Sequence, residues 1–167
     1  IKKKGVEILT SAEVKKIEEE DGHVILTVST KKGDVRIPAD KVLIATGRRP
    51  VVEGLMLENA GVAYNRKGIS TNGYGQTNVP NIYAIGDVTG GIMLAHTASH
   101  QGIIAVEHIM GMEPQHNADV VPSCVFAFPE IASAGMTEEA AAAKGIACKT
   151  SKFMFGANGK ALTLGEG

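Results

Sequence analysis

The residues best suited to chemistry stand where an apolar segment ends in a glycine and a carboxylate. Residues 82–85 are apolar and of strand character, Gly86 and Asp87 follow them, and a helix is expected to begin near Met93. A carboxylate accepts hydrogen bonds from sugar-type hydroxyls. A helix start offers free N–H groups and a partial positive charge to an electron-rich group. The pattern therefore predicts half of a nucleotide-cofactor site, at the carboxyl end of a strand in an α/β sheet.

The second part of this candidate site is the backbone at the start of the predicted helix, which runs from about residue 94 to 110. Small and apolar residues recur there at helical spacing, and Gly111 ends the helix. His96 and His100 stand one turn apart, but no carboxylate or third ligand lies at a fitting spacing, so no metal site is predicted. The candidate binding residues here are Met93, Leu94, Ala95 and His96.

A further candidate is Gly47, which follows an apolar segment at residues 41–45 that is expected to form a buried strand. A glycine at the end of such a strand lets the backbone approach a ligand closely. An ordinary strand-to-loop glycine remains the alternative. No nucleophile motif accompanies Ser99 or Ser123, and no catalytic residue is predicted.

The composition is that of a globular protein without a nucleic-acid or membrane signal. Hydrophobic residues make up 44% of the 167 residues, charged residues 21%, and the net charge is −1. This charge gives no electrostatic argument for nucleic acid or a membrane surface, and no apolar run reaches the length of a membrane span. Cys124 and Cys148 fit neither a zinc site nor a short redox motif, so buried, inert thiols in a reducing compartment are expected.

Turn and cap signals place further elements. Asp21 and Gly22 predict a hairpin between strands at residues 14–20 and 23–29, and a third antiparallel strand is expected at 35–37. Thr137 is a predicted N-cap for a helix that ends before Gly145. A short helix near 55–60 and strands at 6–9, 120–128, 153–155 and 161–164 are also expected.

Together these segments resemble the flavin-dependent pyridine-nucleotide disulfide oxidoreductases, and among them the dihydrolipoamide dehydrogenases. The likeness covers essentially the whole chain. The Met-Leu-Ala-His segment points to the dihydrolipoamide dehydrogenases, since mercuric and glutathione reductases differ there. The matching segments are Ala-Thr-Gly-Arg-Arg-Pro at 45–50, residues 77–87 with Asn-Ile-Tyr-Ala-Ile-Gly-Asp at their end, Met-Leu-Ala-His at 93–96, Gly102, residues 122–130 from Pro-Ser to Phe-Pro-Glu, Gly135, residues 152–158 and Ala161.

The resemblance implies FAD and NAD as cofactors. Asp87 would bind the ribityl or pyrophosphate portion of FAD. The backbone of Met93, Leu94, Ala95 and His96 would face the flavin pyrimidine edge, where a helix start stabilises the negative charge of the reduced flavin. Gly47 would lie against NAD.

The resemblance also implies a domain order and a fold class. The class is α/β, with Rossmann-like FAD/NAD(P)-binding segments, an antiparallel β-meander and the start of an α+β dimerisation domain. Residues 1–49 would close the NAD-binding domain, 50–119 would form the second segment of the FAD-binding domain, and 120–167 would begin the dimerisation domain. A cytoplasmic homodimer that serves lipoyl domains of 2-oxo-acid dehydrogenase or glycine cleavage complexes is expected.

Several family features are not found in the sequence: the two glycine-rich dinucleotide fingerprints, the redox-active cysteine pair and the catalytic His-Glu pair. An internal fragment of such an enzyme, inactive by itself, is therefore expected. A fragment of a mercuric or glutathione-type reductase and a non-catalytic structural or dimerisation segment remain the alternatives.

Overall fold

The computed structural model describes residues 5–114 and 120–165. The chain divides into two compact units, Ile1–Gly47 and Arg48–Gly167. Within the described residues, no helix combines the length and the apolar character that crossing a membrane requires.

The first unit is a three-stranded antiparallel meander of β1 (Glu13–Glu20), β2 (His23–Thr30) and β3 (Gly33–Ala39). Asp21 and Gly22 both have positive φ, 50° and 79°, and two such residues form the turn that suits the twist of a hairpin. The predicted hairpin and third strand are therefore confirmed.

Two strand predictions in this unit are wrong. Residues 6–9 and 41–45 are irregular, and no described strand pairs with either segment. Leu43 is 89% exposed although the sequence predicted a buried strand around it. An apolar run becomes a strand when a neighbouring strand satisfies its backbone groups, and neither segment has such a neighbour among the described residues.

The second unit begins with small elements around an apolar cluster. A 3₁₀ turn at Leu57–Ala60 confirms the predicted short helix, and β4 (Tyr64–Asn65) pairs with β5 (Gly68–Ile69). The cluster is built from Val62, Ile69 and Ala84, with Val52, Leu57, Val79, Ile82 and Val88 packed against it.

The strand predicted at residues 82–85 is wrong. Tyr83 forms a single antiparallel bridge with Gln76, and the Ala84 N–H donates to the Gly75 carbonyl at 2.8 Å. Backbone groups of this segment therefore form their hydrogen bonds with residues 75 and 76, just before it in the chain, and not with a neighbouring strand. A 3₁₀ turn at Gly86–Thr89 follows.

The long helix α1 (Ala95–Ile109) confirms the helix predicted near 94–110. Its small residues permit close packing, because a Cβ on Gly102 would lie 3.3 Å from Cδ1 of Ile85. Val106 and Ile109, two of the apolar residues that recur at helical spacing in this segment, are 59% and 58% exposed.

The remaining elements are β6 (Pro122–Val125) paired with β7 (Ile131–Ala134), α2 (Glu138–Ala143) and α3 (Gly159–Leu164). Thr137 caps α2 as predicted, its Oγ1 accepting from the Ala140 N–H at 3.1 Å. The strands predicted at 153–155 and 161–164 are wrong, as these segments enter a 3₁₀ turn at Phe155–Ala157 and α3. Residues 161–164 are helical because Asn158 caps the start of α3: its Oδ1 accepts a hydrogen bond from the Ala161 N–H at 3.1 Å.

The two cysteines also differ from expectation. Cys124 and Cys148 are exposed free thiols, not buried ones. Cys124 lies on the two-stranded β6–β7 ribbon, and a ribbon of two strands has too little apolar cover to bury its side chains.

Candidate functional site

Asp87 is carried by a tight turn with its own hydrogen bonds. The Gly86 N–H donates to Oε1 of Gln101 at 2.7 Å, and the Thr89 hydroxyl donates to the Gly86 carbonyl at 2.8 Å. The Asp87 side chain is 53% exposed. The backbone is therefore held while the carboxylate stays accessible to a ligand.

Three glycines let this turn lie close to its neighbours. A Cβ on Gly86 would lie 3.0 Å from Cβ of Ala98 in α1. A Cβ on Gly90 would lie 2.1 Å from the Lys67 carbonyl oxygen, nearer than real atoms approach. A Cβ on Gly68 would lie 2.4 Å from the carbonyl oxygen of Val88. The Asp87 turn is thus packed between the β4–β5 hairpin and α1.

The start of α1 presents uncapped backbone donors. Leu94, the N-cap residue, is extended at φ −128° and ψ 140°, and no side chain caps the helix. The helical bonding begins with the Ala98 N–H, which donates to the Leu94 carbonyl at 3.2 Å. The N–H groups of Ala95, His96 and Thr97 precede that bond and have no acceptor within the helix.

Arg48 connects the two halves of the predicted site. Its Nη2 donates to the carbonyl of Met93, and its Nη1 lies 3.8 Å from Oδ2 of Asp87. The structure therefore brings Asp87 and the approach to α1 together through one guanidinium. Sequence reasoning assigned no role to Arg48, although a cation directly after Gly47 was the available signal.

The neighbouring Arg49 has a different partner. Its Nη1 lies 2.7 Å from Oε1 of Glu53, four residues along. The hydrogen bond from Arg49 is the main reason why the pKa of the exposed Glu53 carboxyl lies below its usual value. Arg49 thus pairs locally, while Arg48 reaches across to the candidate site.

His96 contacts a distant segment. Its Nε2 lies 2.8 Å from the carbonyl oxygen of Pro122 in β6, where the ring N–H donates. A cavity of about 650 Å³ lies between the helix start and residues 120–126. No group of three metal-ligating side chains occurs within residues 5–114 and 120–165.

Thr97 borders the same cavity and carries an unsatisfied polar atom. The residue is 5% exposed, and within the described part of the chain its Oγ1 has no hydrogen-bond partner. Buried hydroxyls normally have a partner, and leaving one unpaired costs about 1–3 kcal/mol. Sequence reasoning missed this residue, because nothing in the pattern separates it from an ordinary helical threonine.

Gly47 belongs to the first unit. It adopts φ +92°, which favours glycine, and an added Cβ would meet nothing within 4 Å. Its backbone conformation, rather than a close neighbour, requires glycine within this chain.

Comparison with known proteins then gives the family. Residues 1–102 match the pyridine nucleotide-disulphide oxidoreductase family. The chain belongs to this family. Residues 121–167 match the dimerisation domain of the same oxidoreductases.

Curated relatives carry one name. The chain is 44% identical to dihydrolipoyl dehydrogenase of Rhizobium etli, over 99% of this chain and 35% of the relative. It is 46% identical to dihydrolipoyl dehydrogenase of Bacillus subtilis, over 95% of this chain and 34% of the relative. The chain therefore spans about a third of the length of these relatives.

Solved structures agree with this family. LpdA from Mycobacterium tuberculosis superposes with a TM-score of 0.78 at 26% identity, over 98% of this chain and 36% of LpdA. The HOCl-induced flavoprotein disulfide reductase RclA from Escherichia coli superposes with a TM-score of 0.74 at 30% identity, over 98% of this chain and 37% of RclA. The predicted fold class, α/β with an antiparallel meander and the start of a dimerisation domain, is confirmed.

Proposed function

We propose that this chain is a segment of an FAD- and NAD-dependent dihydrolipoyl dehydrogenase. The whole enzyme would oxidise a dihydrolipoyl group to a lipoyl group and reduce NAD to NADH. The observation that carries the proposal is the uncapped start of α1 beside an accessible carboxylate, in a chain whose relatives bear that name.

The described residues fit a flavin dinucleotide. The start of α1 has no side-chain cap and carries the buried, unpaired Thr97 hydroxyl, so it supplies donors, while the half-exposed Asp87 in the preceding turn supplies an acceptor. When bound, FAD supplies the transfer of electrons between the dithiol and the nicotinamide.

Each candidate residue has a definite role in the proposal. Asp87 accepts hydrogen bonds from the hydroxyl-bearing part of FAD. The backbone of Met93, Leu94, Ala95 and His96 faces the flavin pyrimidine edge and stabilises negative charge through the helix dipole. Gly47 lies against NAD.

The proposal includes the domain order and the assembly. Residues 1–49 close the NAD-binding domain, 50–119 form a second FAD-binding segment, and 120–167 begin a dimerisation domain that joins two subunits. The match to a dimerisation domain supports the homodimer. Lipoyl domains of 2-oxo-acid dehydrogenase or glycine cleavage complexes are the proposed partners, in the cytoplasm.

Activity of the full-length protein that carries this chain tests the proposal. The purified protein is expected to contain FAD, seen in its visible absorbance, and to reduce NAD when given dihydrolipoamide. Glutathione disulfide with NADPH, and Hg²⁺ with NADPH, serve as matched alternative substrate pairs. A protein that has FAD but acts on one of these and not on dihydrolipoamide would be a sibling reductase. A protein without flavin would refute the proposal entirely.

A further inference from the structure

We propose that Arg48 is a positioning residue of the cofactor site, fixing the Asp87 carboxylate and the Met93 carbonyl relative to each other. This inference rests on the proposed function, because it concerns how the same site holds FAD. It adds a residue that lies outside both predicted halves of the site.

Arg48 contacts acceptors on two different elements. Asp87 stands in the Gly86–Thr89 turn, and Met93 stands just before α1, so the two acceptors belong to different elements. The Arg48 guanidinium donates to the Met93 carbonyl across 45 residues of sequence and lies 3.8 Å from the Asp87 carboxylate. A planar fork with five donors suits two acceptors at once, which a lysine ammonium on a flexible stem does not.

Arg48 also places a positive charge beside the Asp87 carboxylate. Asp87 and the electron-rich groups of a dinucleotide would repel each other unless a cation lies beside the carboxylate. Arg48 supplies that cation, and 65% of its side chain is exposed, so part of the guanidinium faces solvent where a ligand would approach. Arg48 therefore neutralises Asp87 while leaving the carboxylate oriented as an acceptor for hydroxyl groups.

The ion pair between Arg48 and Asp87 contributes little to folding. An ion pair whose side chains are 65% and 53% exposed is worth about 0–1 kcal/mol. Removing the guanidinium should leave the apoprotein folded, so that its effect on the ligand can be measured separately.

The test compares Arg48→Met and Arg48→Lys with Arg49→Met in the full-length protein. Arg49 is the matched control, because it is the adjacent arginine and pairs with Glu53. Titration of apoprotein with FAD, followed by flavin fluorescence, is expected to give a dissociation constant about 10- to 100-fold higher for R48M. R48K should fall between R48M and the wild type, and R49M should match the wild type. Thermal unfolding of all the apoproteins should coincide.

A double-mutant cycle adds a measurement that a purely structural role would not change. If Arg48 acts through Asp87, R48M should weaken FAD binding much less in a D87N background than in the wild type. Additive effects would overturn the inference, and so would R48K with wild-type affinity or R48M that behaves like R49M. In each of these cases the wild type still binds FAD, so the proposed function stands. A wild-type protein that binds no FAD would instead refute the proposed function and this inference with it.

Discussion

Asp87 and Arg48 are the two charged side chains of the candidate site, and their pairing contributes little to the fold. Their carboxylate and guanidinium are half exposed and 3.8 Å apart, a pairing that adds little to the free energy of unfolding. The donors of α1 belong to the backbone and persist whatever side chains stand at positions 95 and 96. In the proposed function, ligand binding at this candidate site would therefore depend on two charged side chains and on backbone geometry.

Replacing Asp87 with asparagine should weaken FAD binding by the full-length protein about tenfold or more. The amide keeps the shape but loses the charge that strengthens a hydrogen bond from a hydroxyl. Flavin content after gel filtration and the dissociation constant measure the effect. Asp40→Asn, an exposed carboxylate on a bend in the first unit, is the matched control and should retain flavin. Equal flavin content in the two variants would contradict the role of Asp87.

Thr97 allows a prediction about stability. Thr97→Val should raise the free energy of unfolding of the apoprotein by about 1 kcal/mol, because a methyl replaces a buried hydroxyl without a partner among the described residues. Urea unfolding measures the change. Thr97→Ser keeps the hydroxyl and removes a methyl, so it should lower stability. A valine variant less stable than the wild type would show that the hydroxyl has a partner, such as an ordered water.

At the scale of elements, the Asp87 turn is fixed by close backbone approach. The two glycines that follow the turn, Gly90 and Gly91, both have positive φ but differ in the atoms around them. Gly90 and Gly91 have φ of 74° and 70°, but a Cβ on Gly90 would meet the Lys67 carbonyl at 2.1 Å, while one on Gly91 would meet nothing within 4 Å.

This difference separates conformational strain from steric overlap. Gly90→Ala should destabilise the chain by about 1–3 kcal/mol more than Gly91→Ala, because both variants strain φ and Gly90→Ala alone must move the hairpin. Denaturant unfolding of the two variants provides the comparison. Equal losses in the free energy of unfolding would mean that the β4–β5 hairpin does not pack closely against the turn in solution.

Elements were predictable from sequence where a local signal forms them. The Asp21-Gly22 turn, the Thr137 cap and the spacing along α1 each act within a few residues, and all three predictions are confirmed. The strands predicted at 6–9 and 41–45 need pairing partners from elsewhere, and no described strand supplies one. The Asn158 cap was a local signal for α3, but it was overlooked.

For the candidate site, too, local sequence features were predictable and contacts between distant residues were not. The sequence pattern indicated Asp87 and the helix start separately, because a glycine and a carboxylate after an apolar run, and a helix start, are both local features. The link through Arg48 spans 45 residues and has no periodicity or spacing to reveal it. The unpaired hydroxyl of Thr97 depends on what packs around it, which three-dimensional structure alone displays.

At the scale of the whole molecule, large apolar side chains are exposed in the second unit. Phe126, Phe128 and Phe153 are 86%, 78% and 73% exposed. Apolar surface of this kind is normally covered by a partner. In the proposed enzyme, residues 120–167 begin the dimerisation domain, so the rest of that domain and the second subunit would supply the cover.

The isolated 167-residue chain should have no dihydrolipoamide-dependent NAD reduction and should bind FAD weakly or not at all. Its sequence has neither a glycine-rich loop for the pyrophosphate nor the cysteine pair of the family. Gel filtration with added FAD, read by flavin absorbance, tests binding, and the full-length protein is the positive control. Flavin that co-elutes with the isolated chain would contradict the prediction.

The exposed thiol of Cys124 has a practical consequence. It borders the cavity beside Leu94, His96 and Thr97, in a chain whose other cysteine, Cys148, is also exposed. In the full-length protein, once Cys148 and any cysteines outside this chain are replaced by serine, a maleimide dye on Cys124 becomes an optical sensor beside the helix start. Quenching of that dye during a stopped-flow mix would time the arrival of the yellow cofactor without any catalytic turnover.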